Sequence, residues 1–501
     1  MRLLMIFFLS FLLVGCSDPA STDIRFGLAN APTNLDPRFA TDAVSTRINR
    51  LLYERLVDFD EAAFPVPSLA NWEKLSPLIY QFTLTPGEHR FHMQGQVLTA
   101  ADVKATYESV LAESTASPHR GALTIIDKIE VRNDRQLLFY LRRADPLFPA
   151  LLMIGILPAR LLESQHDFAK MPIGSGPFQF VSNEGQGMIK IERVQDHQGV
   201  KFLHVPNATV RVLKLLRGEL DLVQNDLPVE LIQYVEKQPH IHSQTVPGSN
   251  FAYLGFNLQD PLMADVRIRK AIALAIDRKA IIHHLFNDHA RLANALFPPE
   301  HWLGLDSQLQ QAYNPEESRR LLAALGYGVE HPLTISYKTS NNGFRLRIAS
   351  IIQAQLAQVG INLAIQSYDW GTFFGDIKAG RFQLFSLMWV GIKTPDMFRY
   401  AFHSKAAPPA GANRGRLANA EVDGLIEEAE AMTSLTEQAP IYQQLQRKLF
   451  ADLPYVPLWY EDHVALWTDR ISGYTLASDG NFDGLLQVQK RKLEAVADGQ
   501  Y

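Results

Sequence analysis

Alternating apolar and polar positions mark the first regular region of the chain. Tyr80, Phe82 and Leu84 take every second place before Pro86-Gly87, and Arg90-Phe91-His92 resumes an extended pattern, which predicts a β-hairpin. The period then changes to that of a helix. Val103, Tyr107, Val110 and Leu111 fall on one face behind Thr99 as N-cap, with Asp102 at N3. Residues 51–165 thus read as a small α+β region. Farther on, Leu333, Ile335 and Tyr337 alternate as a strand, and Leu346 to Val359 carries helical spacing through Ile348, Ile351, Ile352 and Leu356. Gly360 stops that helix, and Ile361, Leu363 and Ile365 form another strand. Strand, helix and strand in this order predict a βαβ unit with parallel strands and a right-handed crossover. Upstream, Asn314-Pro315-Glu316-Glu317 supplies an N-cap, a proline at N1 and a glutamate at N3 for a helix through Leu321, Leu322 and Leu325, with Gly326 as its stop. Arg267 to Phe286 is predicted as a helix from Ile268, Ala271, Ile272, Ala275 and Ile276. Residues 255–465 therefore read as a second, α/β domain, and the fold class is α/β.

The first residues decide the compartment. Met1-Arg2 precedes an apolar run, Leu3 to Val14, broken only by Ser10, which is too short to span a ~30 Å hydrocarbon core and reads as a secretory signal. Leu13-Val14-Gly15-Cys16 resembles the bacterial lipobox, in which the thiol is acylated and the chain is cut just before it. Residues 1–15 are then the signal peptide and Cys16 the lipidation site. An ordinary signal peptide with a stray cysteine is the alternative. Cys16 is the sole cysteine, so no disulfide forms within the chain. No later segment has the ~18 apolar residues of a membrane span, so the expected body is extracytoplasmic and tethered to the membrane by acyl chains. Ser17 and Asp18 leave inner or outer membrane open.

Composition narrows the class further. Of 501 residues, 47% are hydrophobic and 20% charged, as in folded multidomain proteins. A formal charge of −5 offers no basic surplus to neutralise phosphates, which removes nucleic acid as a partner. The basic run Lys490-Arg491-Lys492 reads as a solvated terminus. There is no Gly-x-Ser-x-Gly, His-Glu-x-x-His, Walker loop or cysteine pair, so neither an enzyme nor a cofactor is expected. His89 with His92, His240 with His242 and His283-His284 lack ligand spacing. The first pair lies in a predicted strand, where i and i+3 point to opposite faces, so all three pairs read as surface or structural and no metal site is expected. Ile173-Gly174-Ser175-Gly176-Pro177-Phe178 has neither a following helix nor a P-loop lysine and reads as a turn feeding a strand.

A series of short motifs, in order, resembles the family 5 solute-binding proteins of ABC importers, the class of the oligopeptide- and dipeptide-binding proteins. These are Pro32 to Pro37, Tyr53 to Val57, Pro65 to Ala70, Phe91 to Gly95, Thr99 to Val103 and Ile173 to Phe178. Gly218 to Asp221, Phe256-Asn257, Val266 to Ala271 and Ala275 to Arg278 follow. The resemblance covers almost the whole chain after Cys16. It implies a bilobal periplasmic-binding-protein-like fold of class II. Lobe I would comprise residues 23–50, 166–254 and 466–501, the second large lobe residues 255–465, and an extra α+β domain residues 51–165. A peptide or similar small solute would sit between the large lobes, held by main-chain hydrogen bonds to strand edges. Closure about two hinge strands would bury it, and the closed monomer would dock on the permease of an ABC transporter with its ATPase.

The resemblance also maps candidate ligand-binding residues. In peptide-binding relatives the strand before a Trp-x-x-Asp motif pairs with the ligand backbone, and the aspartate holds its terminal ammonium. Here Met388, Trp389 and Gly391 match, but Ile392 stands where that acid is expected. Asp396 is the candidate substitute, with a turn or N-cap role as the alternative. Asn225 matches an inter-lobe loop and is read either as a ligand contact or as a turn residue. Tyr253 faces the cleft or the core, and Trp389 stacks on ligand or packs inside. Arg399, Asn413 and Arg414 are candidates for the same loop region, where they would favour an anionic ligand. Non-peptide cargo such as a metal chelate, haem or sugar, a peptide sensor or chaperone that transports nothing, and an extracytoplasmic hydrolase are the other readings.

Overall fold

The computed structural model describes residues 22–491, apart from 94, 186 and 306–308. Cys16 and the signal segment lie outside the described residues. Two long antiparallel strands, Ile241–Phe256 and Tyr455–Thr468, run through the middle of the molecule, with Ile241 opposite Thr468 and Gly255 opposite Tyr455. At one end Phe251–Phe256 pairs with Leu384–Trp389, and beyond it lie Leu333–Ser340 and Ile361–Tyr368. At the other end Ala465–Trp467 pairs with Leu222–Gln224, followed by Ile24–Leu28, Gly199–His204, Met188–Arg193 and Phe178–Gly185. The long pair is irregular where the two halves meet, its register slipping between Val246 and Asn250. This change of partners falls a few residues before position 254, so Phe251 and Tyr253 pack with the second half.

Each half has its own apolar core. Ile24, Phe26, Val200, Phe202 and Phe482 fill the first, and Leu254, Ile272, Ile335, Ile352 and Leu363 the second. A third core, built on Phe82, Tyr107, Phe139 and Phe148, belongs to a separate antiparallel sheet, in the order 70–76, 79–84, 136–141, 126–133. Among the described residues, no helix is long and apolar enough to cross a membrane.

The locally encoded elements form as expected. Asp102 accepts the Thr99 backbone N–H at 2.8 Å and its hydroxyl at 2.9 Å, opening the helix Ala100–Leu111. Its other oxygen accepts the Ala159 N–H, which ties the helix to the next segment. Asn314 caps Pro315–Ala323 through the Glu317 N–H. The βαβ unit is parallel, Leu333 pairing with Ile361, around the helix Gly343–Ala357. Gly360 ends it with φ +89°, a conformation that a side chain would strain. Ile173 to Phe178 is the turn into strand Phe178–Gly185, and its glycines touch backbone: a Cβ on Gly174 would lie 2.0 Å from the Leu52 carbonyl oxygen.

Three expectations are corrected. Ile79–Leu84 forms no hairpin with residues 90–92, because Ala70–Ser76 and Gln136–Leu141 occupy both of its edges. Arg90 makes a lone bridge to Val97, and His92 turns to the 174–176 loop, with its backbone N–H on the Gly174 carbonyl. His89 is likewise outside any strand, hydrogen-bonded to Glu54 and Thr85. Second, the helix predicted from Arg267 to Phe286 is two, Val266–Ala275 and Arg278–Phe286. The Asp277 carboxylate accepts the Ala280 N–H and starts a new helix, while Ile276 is extended. Third, the basic run is not simply solvated: the Lys490 ammonium reaches the fully buried Asp221, which Arg25 also holds.

Candidate ligand-binding site

The strand Leu384–Trp389 has two faces because successive side chains alternate. Phe385, Leu387 and Trp389 point into an aromatic core. Trp389 stacks on Tyr253 with ring centroids 6.1 Å apart, and Tyr253 stacks on Tyr455 at 4.0 Å. The Arg414 guanidinium lies 4.5 Å over the Trp389 ring and donates to the Tyr253 hydroxyl at 3.2 Å. Ser386, Met388 and Val390 border the other side, a cavity of about 250 Å³ that also meets Arg345 and Trp370.

Val390 also borders a larger cavity of about 590 Å³, a size typical of sites that enclose small ligands. Its walls come from distant parts of the chain. Helix Ala43–Leu52 contributes Arg47, Asn49 and Arg50, the α+β region contributes His119, Leu151 and Met153, the loop after Trp389 contributes Gly391 and Lys393, and the C-terminal segment contributes Asp479 and Asn481. The helix points these groups inward because its Ile48, Leu51 and Leu52 are fixed in the core.

Among the described residues, four cations line this space beside one carboxylate, Asp479. Arg50 is paired with Asp58 at 2.7 Å and Asp483 at 2.8 Å, and Arg55 shares Asp58 at 2.7 Å. Burial works against the Asp58 charge, but the two guanidiniums outweigh it and hold its carboxyl well below the usual range. Lys393 pairs with Asp479 at 2.9 Å and rests over the Phe59 ring. Arg47 is different. Burial draws its pKa down, Asp226 and Asp479 act on it from longer range, and none of the described acids lies within ion-pairing distance. The His119 Nε2 donates to the Ala40 carbonyl, and burial lowers the histidine's pKa.

Of the residues singled out from sequence, Met388 and Gly391 border these cavities. Tyr253, Trp389 and Arg414 come together, but behind the strand, and Tyr253 is fully buried. Asn225 has positive φ and holds the crossover strand, accepting the Val464 N–H and bonding His463. Asn413 is internal, bonded to His403 and Leu417, and Arg399 pairs with Glu430 at 2.7 Å. Asp396 starts a short helix and accepts the Thr394 hydroxyl. It keeps accessible surface, yet the protein packed around it and the nearby Asp145 push its carboxyl above the usual range. Ile392 packs against the aromatic core. Sequence reasoning missed Arg47, Asn49, Lys393 and Asp479. One signal was available: Asn49 is a polar residue at a core-facing helix position, beside Ile48 and before Leu52.

Comparison with known proteins agrees with this architecture. Residues 65–408 match the family described as bacterial extracellular solute-binding proteins, family 5 Middle. A probable di/tripeptide-binding protein of Pseudomonas aeruginosa is 27% identical over 474 residues, covering 86% of this chain and 89% of that protein. The oligopeptide-binding protein AppA of Bacillus subtilis, solved with a nonapeptide, superimposes with a TM-score of 0.76 at 25% identity over 94% of this chain and 99% of that one. The substrate-binding protein CtaP of Listeria monocytogenes shares the fold, with a TM-score of 0.84 at 23% identity over 93% of this chain and 99% of that one. The chain therefore belongs to family 5 of the bacterial extracellular solute-binding proteins, the receptors of ABC importers.

Proposed function

We propose that this chain is a monomeric, lipid-anchored extracytoplasmic receptor that captures a short peptide or similar small solute in the 590 Å³ cavity and presents it to an ABC permease. The observation that carries this reading is the make-up of that cavity. Its walls come from five separated stretches of chain, 37–55, 118–123, 151–155, 390–393 and 479–481, so a bound solute joins parts that are far apart in sequence. Relatives named for di/tripeptides and oligopeptides support a peptide as cargo. In this reading residues 23–50, 166–254 and 466–501 form lobe I, 255–465 the second large lobe and 51–165 the extra domain.

Two ion pairs join residues assigned to the two large lobes, Lys393 with Asp479 and Arg347 with Glu230, and such contacts form only when the lobes are together. Ligand contacts made only when these segments are together shift the population toward the closed form. Small-angle scattering should show a smaller radius of gyration once a ligand saturates the protein, and an unchanged profile at saturation overturns the closing receptor. Lipid anchoring rests on Leu13-Val14-Gly15-Cys16. Replacing Cys16 by Ala should abolish palmitate incorporation and release the protein from membranes with its fold intact, whereas continued membrane association removes the anchor from the proposal.

A further inference from the structure

Among the described residues, Asn49 in the 590 Å³ cavity has no side-chain hydrogen-bond partner, and Arg47, which rests over the Phe482 ring, has no carboxylate within ion-pairing distance. Asn49 is 7% exposed, borders the cavity, and neither its amide nitrogen nor its amide oxygen has a hydrogen-bond partner among the described residues. It sits one turn of helix after Ser45, whose backbone N–H is taken by the N-cap Asp42. Buried amides are as a rule paired, so a helix that points one at a cavity leaves a donor and an acceptor ready for something that enters. Arg47 lies two residues away on the same helix and borders the same space. The other three cations there are neutralised by Asp58, Asp483 and Asp479, and Arg47 alone lacks a carboxylate at bonding distance.

We propose that the cavity takes a solute that carries a carboxylate, with the Arg47 guanidinium as its charge partner and the Asn49 amide as its hydrogen-bond donor. This rests on the reading that the cavity is the ligand site, and it adds the ligand's chemical class. A carboxylate accepts two charge-assisted bonds in the plane that a guanidinium offers, and the Asn49 NH₂ group supplies a third donor. The cavity gives the opposite charge no equivalent reception. Among the described residues the one lining carboxylate, Asp479, is already held by Lys393, and Ile392 packs against the aromatic core. The end of a short peptide that this cavity reads is therefore its C-terminal carboxylate, and a small carboxylic acid offers the same group.

Native mass spectrometry of the purified protein, offered three mixtures, separates these sources. The mixtures are di- and tripeptides with free C-termini, the same peptides as C-terminal amides, and small mono- and dicarboxylic acids. The free-acid peptides should be retained at least tenfold more than their amides. Arg47→Met should erase that preference, Arg47→Lys should keep part of it, and Asn49→Leu should weaken retention while raising the thermal midpoint, because it removes an unpaired amide. The acid-to-amide ratio on the unaltered protein decides the matter even if a variant fails to fold. Equal retention of acids and amides overturns the carboxylate inference and leaves the peptide receptor standing. Retention of the small acids alone supports the inference and removes the peptide reading. Retention of none of the three overturns both.

Discussion

Protonation of the buried His463 should cost this fold stability in acid. His463 lies on the long strand 455–468, opposite Val246, where the register slips between the two halves. It is 2% exposed, and its Nδ1 meets the Asn225 amide at 3.1 Å. Burial, and then Arg47, lower its pKa from 6.5 to about 4, with Asp479 and Glu461 pulling weakly the other way. A depressed histidine pKa means that the unfolded chain binds more protons than the folded one between these values. Stability is then fully present above about pH 6.5 and falls as pH drops, with the loss complete below about pH 4. The full loss is about 3 kcal/mol, at 1.36 kcal/mol per unit, and about 2 kcal/mol of it is already gone near pH 5. His463→Asn keeps an acceptor near the Nδ1 position without a titrating ring. Urea unfolding followed by tryptophan fluorescence, at about pH 7.5 and about pH 5, should show the unaltered protein losing about 2 kcal/mol more than the variant. His301, pushed to about 4 by burial, is present in both proteins and cancels. Equal losses in the two proteins would falsify the assignment of this acid sensitivity to His463.

Three further outcomes test other parts of the structure. Asp221→Asn should cost about 3 kcal/mol in urea unfolding, since it strands Arg25 and Lys490 around a fully buried site, and a loss near zero would mean that these pairs merely balance their desolvation. Gly176→Ala should cost about 1–3 kcal/mol, because its Cβ would lie 2.4 Å from the Leu51 carbonyl oxygen, and an unchanged unfolding midpoint would contradict that contact. For a peptide that binds, N-acetylation should change affinity less than about tenfold, or ~1.4 kcal/mol by calorimetry, as Ile392 offers an ammonium no counter-charge. A loss beyond about a hundredfold would point to Asp396 as the anchor, and Asp396→Asn should then reproduce it.

The parts of the fold that were legible in the sequence are those whose cause is local. The Thr99–Asp102 capping box, the Asn314 cap and the βαβ unit ending at Gly360 each follow from residues within one or two turns of the feature. What failed depended on distant partners or on competition between two local signals. The partners of Ile79–Leu84 include Gln136–Leu141, far along the chain, so the nearby Pro86-Gly87 turn was given a pairing it does not make. In Arg267 to Phe286 the apolar period runs on, but the Asp277 side chain offers the next turn a better start than continuation.

The site was harder to read for a geometric reason. A resemblance aligns positions along a strand, and the pleat decides which of two neighbours borders a cavity. Trp389 and Met388 are adjacent, yet Met388 borders a cavity while Trp389 stacks on Tyr253 and under Arg414. The Arg414 guanidinium lies over the Trp389 ring of the aromatic core, and Arg399 is paired with Glu430. The cation left available comes from the other end of the chain, on a helix that its own apolar residues pin to the first core. Arg47 and Asn49 show nothing in sequence to link them to Lys393, more than three hundred positions away. Only the fold makes them neighbours of one cavity, and it does so through the two strands whose pairing the local pattern does not encode.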